Sequence, residues 1–158
     1  MNPAAANHRP VRVGDPAPDF TLLNQDGIPV HLADLLGQSA IVLYFYPKDY
    51  TTGCTAEACN FRDRYDVFRT AGATVIGVSD DSVRSHKGFA IKNRLPFDLL
   101  SDPGGSVRKL YGVSRTLGII SGRMTYVIDR EGIVRLVFSN QLSMGSHVRQ
   151  ALKVLESL

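Results

Sequence analysis

Long hydrophobic runs are missing from this chain. The longest unbroken one covers residues 40–46, far short of the roughly 18 residues that a membrane-spanning helix needs, so no membrane association is expected. The first fourteen residues, Met-Asn-Pro-Ala-Ala-Ala-Asn-His-Arg-Pro-Val-Arg-Val-Gly, lack the apolar block of a secretory signal. The expected compartment is therefore the cytoplasm or another reducing space, a plastid included if a transit peptide has been removed. Runs of like charge are missing too. The 18 basic and 15 acidic residues, net +3, are interspersed, which leaves nucleic-acid binding without a basic patch. His8, His31, His86 and His147 are scattered, none close to a cysteine in sequence. No zinc-ligand spacing results, and neither a metal nor a cofactor is expected. Cysteine itself is scarce: there are two, Cys54 and Cys59, and no Cys-x-x-Cys pair.

What is present describes one globular domain. A content of 44% hydrophobic and 21% charged residues over 158 positions suits a single good-sized core. Residues 1–10 read as a loose tail and 11–158 as the domain. Thr21 to Leu23 and Pro29 to Leu32 flank the turn signal Asp26-Gly27, which predicts an N-terminal hairpin. The run 40–46 and Thr74 to Val78 read as buried strands. Ala58, Phe61, Tyr65 and Phe68 recur at helical spacing up to Gly72, which predicts one long helix after Cys54. Asp80 and Asp81 are expected to cap a helix over 83–93. A short strand at 97–100, a short helix at 106–111, a hairpin of 124–128 with 133–138 turned at Asp129 to Gly132, and a helix over 145–157 complete the chain. Helices interleaved with apolar strands make an α/β fold: one mixed sheet covered on both faces, with sites gathering at the carboxyl ends of its strands. Cys54 falls at such an end.

That position has chemical consequences. A thiol where a strand ends and a helix begins meets unpaired backbone N–H groups and the positive end of the helix dipole, and both favour thiolate. Cys54 is thus the candidate nucleophile, expected to be exposed at the helix mouth. Five residues of intact helix would hold the Cys54 and Cys59 Cα atoms about 8 to 9 Å apart, whereas a disulfide needs roughly 7 Å or less. Any bond between them requires the first helical turns to unwind. The competing reading is that both are merely small buried apolar residues.

Pro47-x-x-x-Thr51-x-x-Cys54 resembles the peroxidatic signature of the peroxiredoxins, and Cys59 resembles the resolving cysteine of the peroxiredoxin Q or bacterioferritin comigratory protein subgroup. Further matches are Val13 to Phe20, Phe61-Arg62-Asp63, Leu95-Pro96-Phe97 with Leu100-Ser101-Asp102, and Gly122-Arg123 leading into Thr125 to Asp129. The likeness covers roughly residues 11–157 and departs at Thr52, where the subgroup commonly has proline. The lost ring frees a φ angle and adds a backbone donor.

The resemblance implies a thioredoxin-like fold and a peroxidase. Cys54 would attack the peroxide, Cys59 would resolve the sulfenic acid as a Cys54–Cys59 disulfide, and thioredoxin or a similar dithiol would recycle it; the subgroup resemblance implies a monomer. Thiolate formation alone does not make such an enzyme fast. Lowering a thiol from a pKa of about 8.5 to about 6 yields roughly thirtyfold more thiolate, of which a Brønsted slope near 0.45 removes about tenfold. The remainder must come from positioning and charge stabilisation. Thr51 is expected to orient the peroxide, Arg123 to pair with sulfur and peroxide oxygens, Gly53 and Cys54 to supply backbone N–H groups, and Pro47 to fix the loop and screen the sulfur. Glu57 either adjusts the pocket's electrostatics or lies on a solvated helix face. The alternatives on the same fold are a thiol-disulfide oxidoreductase and a non-catalytic redox sensor.

Overall fold

A computed structural model describes residues 9–113, 115–116 and 120–158. The tail expected over residues 1–10 lies, through residue 8, outside the described residues.

The core is organised by β3 (Ala40–Phe45), in which every residue is buried. Side chains alternate across a strand, so Ile41, Leu43 and Phe45 enter one apolar cluster while Val42 and Tyr44, followed by Tyr46, enter the other. An unbroken apolar run is what a strand covered on both faces requires. β3 pairs in parallel with β4 (Ala73–Ser79) and antiparallel with β8 (Met124–Ile128). β4 continues in parallel to β5 (Asp98–Ser101). The hairpin of β1 (Thr21–Leu23) and β2 (Pro29–His31) extends the β5 edge, and β9 (Val134–Ser139) extends the β8 edge. The resulting mixed sheet has the order β2-β1-β5-β4-β3-β8-β9.

Both expected hairpins are present. In the first, the Asn24 carboxamide accepts from the N–H groups of Asp26 and Ile28 and fixes the turn at Gly27. The short α1 (Leu32–Leu35) and a two-stranded ribbon of β6 (Arg115–Thr116) and β7 (Ile120–Ser121) were not expected from the sequence.

The long helix expected after Cys54 is two helices, α2 (Thr52–Asp63) and α3 (Tyr65–Thr70), separated at Arg64, whose ψ of 11° leaves the helical range. Neither glycine nor proline marks this break. Phe61 and Phe68 remain fully buried across it, with ring centroids 5.6 Å apart, so the apolar spacing survives a change of axis. α4 (Val83–Asn93) is capped by Ser82, whose Oγ accepts from Ser85 N at 3.1 Å. The acidic pair expected to cap it does not; Asp81 turns to other partners, described below. α5 (Ser106–Tyr111) and α6 (Met144–Glu156) lie where expected. Among α6 side chains His147, Val148, Ala151, Leu152 and Leu155 are buried, and α6 rests on α2, β8 and β9.

Candidate active site

β3 ends below the loop Pro47–Thr51, which turns the chain into α2. Tyr50 makes that turn with a φ of 66°, a left-handed conformation that costs a residue with a side chain on the order of 1 to 2 kcal/mol. Packing holds it there. The Tyr50 ring meets Phe89 edge-on at 5.3 Å, with the Lys92 ammonium 5.7 Å above it. Its hydroxyl lies over Gly88, where a Cβ would come within 2.5 Å of the oxygen.

Below the loop is a closed polar cluster. Asp49 accepts from the Tyr46 hydroxyl at 2.6 Å and the Ser85 hydroxyl at 2.8 Å, and its Oδ2 lies 2.7 Å from His86 Nδ1. His86 Nε2 donates to the Leu100 carbonyl at 2.9 Å. Asp81 accepts from Asp49 N and from the Ser79 hydroxyl. Asp49, Asp81 and His86 have ligand atoms within 4.8 Å of one another, yet those atoms are already engaged by neighbours. The arrangement reads as a hydrogen-bonded anchor for the loop.

α2 then begins at Thr52, so the N–H groups of Thr52, Gly53 and Cys54 have no acceptor inside the helix. Thr51 holds the capping position without capping. Its hydroxyl donates to Lys48 O at 2.9 Å, which leaves its lone pairs free to accept. Cys54 is 1% exposed, not open at the helix mouth as expected. Of the residues leading to it, Thr51 and Thr52 are exposed, and Gly53 and Pro47 are half-buried.

Arg123, on the approach to β8, reaches this sulfur as expected: Nη2 is 3.5 Å from Cys54 Sγ. Gly53 permits the approach, since a Cβ there would come within 3.1 Å of Arg123 Nη2. The Ser139 hydroxyl donates to Arg123 O and fixes its backbone. Through Nη1 the same guanidinium donates to Glu57 Oε1 at 2.8 Å. Glu57 is fully buried, which removes the solvated-face reading. Burial pushes its carboxyl up to about 7, against the opposing pull of Arg123. Among the described residues, three polar atoms around the sulfur lack a hydrogen-bond partner: Glu57 Oε2, Arg123 Nε and the Tyr44 hydroxyl.

Cys59 does not face Cys54. Both thiols are free, the helix is continuous between them, and Cys59 Sγ lies 3.8 Å from Asn93 Oδ1 on α4. Sequence reading missed His147 and Thr125, which close the far side of Glu57: His147 Nδ1 is 2.7 Å from Thr125 Oγ1 and 3.6 Å from Glu57 Oε2. A usable signal existed. His147, Ala151 and Leu155 share one face at four-residue spacing, so the histidine had to point inward.

Comparison with known proteins places this fold in a family. The AhpC/TSA family matches residues 13–137. The chloroplastic peroxiredoxin Q of Sedum lineare is 51% identical over 149 residues, covering 94% of this chain and 80% of that protein. Its counterpart in Arabidopsis thaliana is 51% identical over 148 residues, covering 93% and 68%. The crystal structure of peroxidoxin BcpB from Mycobacterium tuberculosis superposes with a TM-score of 0.86 at 41% identity, covering 92% of this chain and 97% of that one. A Xanthomonas campestris bacterioferritin comigratory protein, in a study of its alkyl peroxide reduction activity, gives a TM-score of 0.79 at 30% identity, covering 87% and 90%. With a thioredoxin-like sheet and a match of this extent, the chain belongs to the AhpC/TSA family, on its peroxiredoxin Q branch, and is a thiol-dependent peroxidase.

Proposed function

We propose that Cys54 is the attacking sulfur, that Cys59 resolves it, and that residues 11–158 form the domain that does this work. The Cys54 thiolate takes the terminal oxygen of the peroxide. The S–O bond forms as the O–O bond breaks, sulfur is oxidised to sulfenic acid, and the released alkoxide or hydroxide takes up a proton to leave as alcohol or water. The Cys59 thiol then displaces the sulfenic hydroxyl as water, giving the disulfide. A dithiol of the thioredoxin type reduces that bond by exchange.

The observation that carries the reading is the 3.5 Å approach of Arg123 Nη2 to Cys54 Sγ. It supplies a fixed positive charge where negative charge moves from sulfur to the departing oxygen, the kind of preorganised donor worth about 10²- to 10³-fold in rate. Thr51 supports it with an oxygen free to accept the peroxide proton and hold the substrate in line. Pro47, half-buried after Tyr46, stiffens the loop above the sulfur. The start of α2 supports the unwinding that resolution demands: Thr52, Gly53 and Thr55 are weak helix formers, the cap is unused, and the first turn holds no acidic residue. Its far end is tied down by Arg62, which donates to Asn93 O at 2.8 Å.

The substrates in this reading are hydrogen peroxide and organic hydroperoxides. The alkyl peroxide activity named for the Xanthomonas relative supports the second class. A monomer suffices, since every group invoked comes from one chain. The compartment is a reducing one with a thioredoxin supply; the chloroplastic relatives support a plastid, which shares that chemistry with the cytoplasm. Among the described residues no helix is long and apolar enough to cross a membrane.

Peroxide consumption coupled to thioredoxin and its reductase tests the scheme. Cys54→Ser should abolish it. Cys59→Ser should retain one oxidation per chain and lose thioredoxin-supported turnover. Undiminished consumption by Cys54→Ser would end the proposal.

A further inference from the structure

Glu57 and His147 are both fully buried and face each other across 3.6 Å. His147 Nε2 lies 2.7 Å from the Asn140 carbonyl, which can only accept, so Nε2 carries the ring hydrogen. In the neutral ring Nδ1 is then a lone pair. The Thr125 hydroxyl donates to it at 2.7 Å. Burial and the Arg123 charge lower the proton affinity of the ring, which favours this tautomer. Glu57 Oε1 is satisfied by Arg123, while Oε2 has no hydrogen-bond partner among the described residues. When Glu57 is ionised, its Oε2 finds no donor in a dry pocket, because the ring turns toward it only an Nδ1 lone pair already engaged by Thr125. One proton on Oε2 removes that deficit: once the Thr125 hydroxyl turns its hydrogen away and the pair closes in from 3.6 Å, Oε2–H can donate to Nδ1.

The geometry points to His147 as the proton acceptor of Glu57, and to this shared proton as what decides how much of the Arg123 charge is left for Cys54 and the oxygen departing from it. The proton comes from solvent, and no covalent bond to carbon or sulfur changes. With Glu57 ionised, Arg123 divides its charge between carboxylate and sulfur. With Glu57 neutral, the guanidinium keeps its place, since the carboxyl Oε1 still accepts from Nη1, but its charge faces sulfur alone. The charged or titratable groups around Glu57 are Arg123 from the approach to β8, His147 from α6, Tyr44 from β3 and Cys54 from its own helix. Only Arg123 carries a permanent charge. His147 is a positioning residue in this scheme, acting through Glu57.

The inference rests on Cys54 being the attacking sulfur, and its test separates the two. In the parent protein, the ring nitrogens of His147 and the carboxyl carbon of Glu57 are followed by NMR through the neutral pH range. The expected result is one common inflection, with Nδ1 responding and Nε2 keeping its hydrogen, and no Nδ1 inflection in Glu57→Gln. A Glu57 carboxyl that titrates with no response at Nδ1, or an Nδ1 response unchanged in Glu57→Gln, would overturn it. The second readout is the peroxide rate constant divided by the thiolate fraction, the latter taken from ultraviolet absorbance. It should fall on the order of tenfold as pH rises through neutrality in the parent and stay flat in Glu57→Gln. A parallel fall in both proteins would also overturn it. Loss of peroxide chemistry from Cys54 would leave the NMR result untouched.

Discussion

Two buried histidines flank the loop that carries the candidate site, and they are built to one plan with different endings. His86 on α4 and His147 on α6 each turn Nε2 to a backbone carbonyl and Nδ1 to a buried carboxylate. At His86 the carboxylate is 2.7 Å away, and Asp49 is further saturated by Tyr46 and Ser85. At His147 it is 3.6 Å away, and Glu57 Oε2 is left without a partner. Buried polar groups are normally satisfied, and each exception costs about 1 to 3 kcal/mol. The closed cluster spends nothing of that kind and holds the loop. The open one bears the cost on the carboxyl that shares the Arg123 guanidinium with the Cys54 sulfur.

The sharpest way to break this contrast is at its closed end. Asp49→Ala strands His86, Tyr46 and Ser85 together and should lower unfolding stability by about 3 to 5 kcal/mol in urea titration, while the pH profile of the folded protein's peroxide rate keeps its shape. A changed profile with intact stability would reverse the two roles. At the open end, Arg123→Met should slow sulfenic acid formation by about 10²- to 10³-fold in stopped-flow measurements.

Next in size is the pH dependence of Glu57→Gln. The Glu57 carboxyl rises from 4.5 to about 7 on folding, so between those values the folded chain holds a proton that the unfolded chain has released. Its contribution to stability is complete below about pH 4.5, falls as pH rises, and is gone above about pH 7. Glutamine does not titrate. The stability of Glu57→Gln relative to the parent should therefore climb across that window by up to about 3 kcal/mol, as read from denaturation midpoints at several pH values. A difference independent of pH would mean that Glu57 stays ionised throughout. Smallest is Thr52→Pro, at the first helical position, where proline is well tolerated. It should add about 0.4 to 1 kcal/mol of stability and slow disulfide formation, measured in a single-turnover experiment, because α2 then unwinds less readily.

Much of this was legible before any coordinates. The strands β3, β4 and β8 announced themselves as apolar runs, the hairpin turns as Asp26-Gly27 and Asp129 to Gly132, and the signature from Pro47 to Cys54 marked the site with Arg123. What was hidden depends on depth and on partners remote in sequence. The order of residues puts Cys54 at a helix start but does not say how deeply that start is buried. Glu57 reads equally as pocket or surface until α6 closes over it. The break at Arg64 carries no glycine or proline to announce it, and the buried Phe61 and Phe68 keep helical spacing across it. Asp81 has the sequence position of a cap, but its partner, Asp49, lies 32 residues away.

Gly88 marks where the loop takes its support from another helix. The strained turn at Tyr50 persists because a bare backbone on α4 leaves a notch for its hydroxyl, so a single methyl group added outside the catalytic segment would push the latch from its seat. The turn that leads into the sulfur-bearing helix thus leans on a neighbouring helix, and its setting can drift through substitutions that touch no reacting atom.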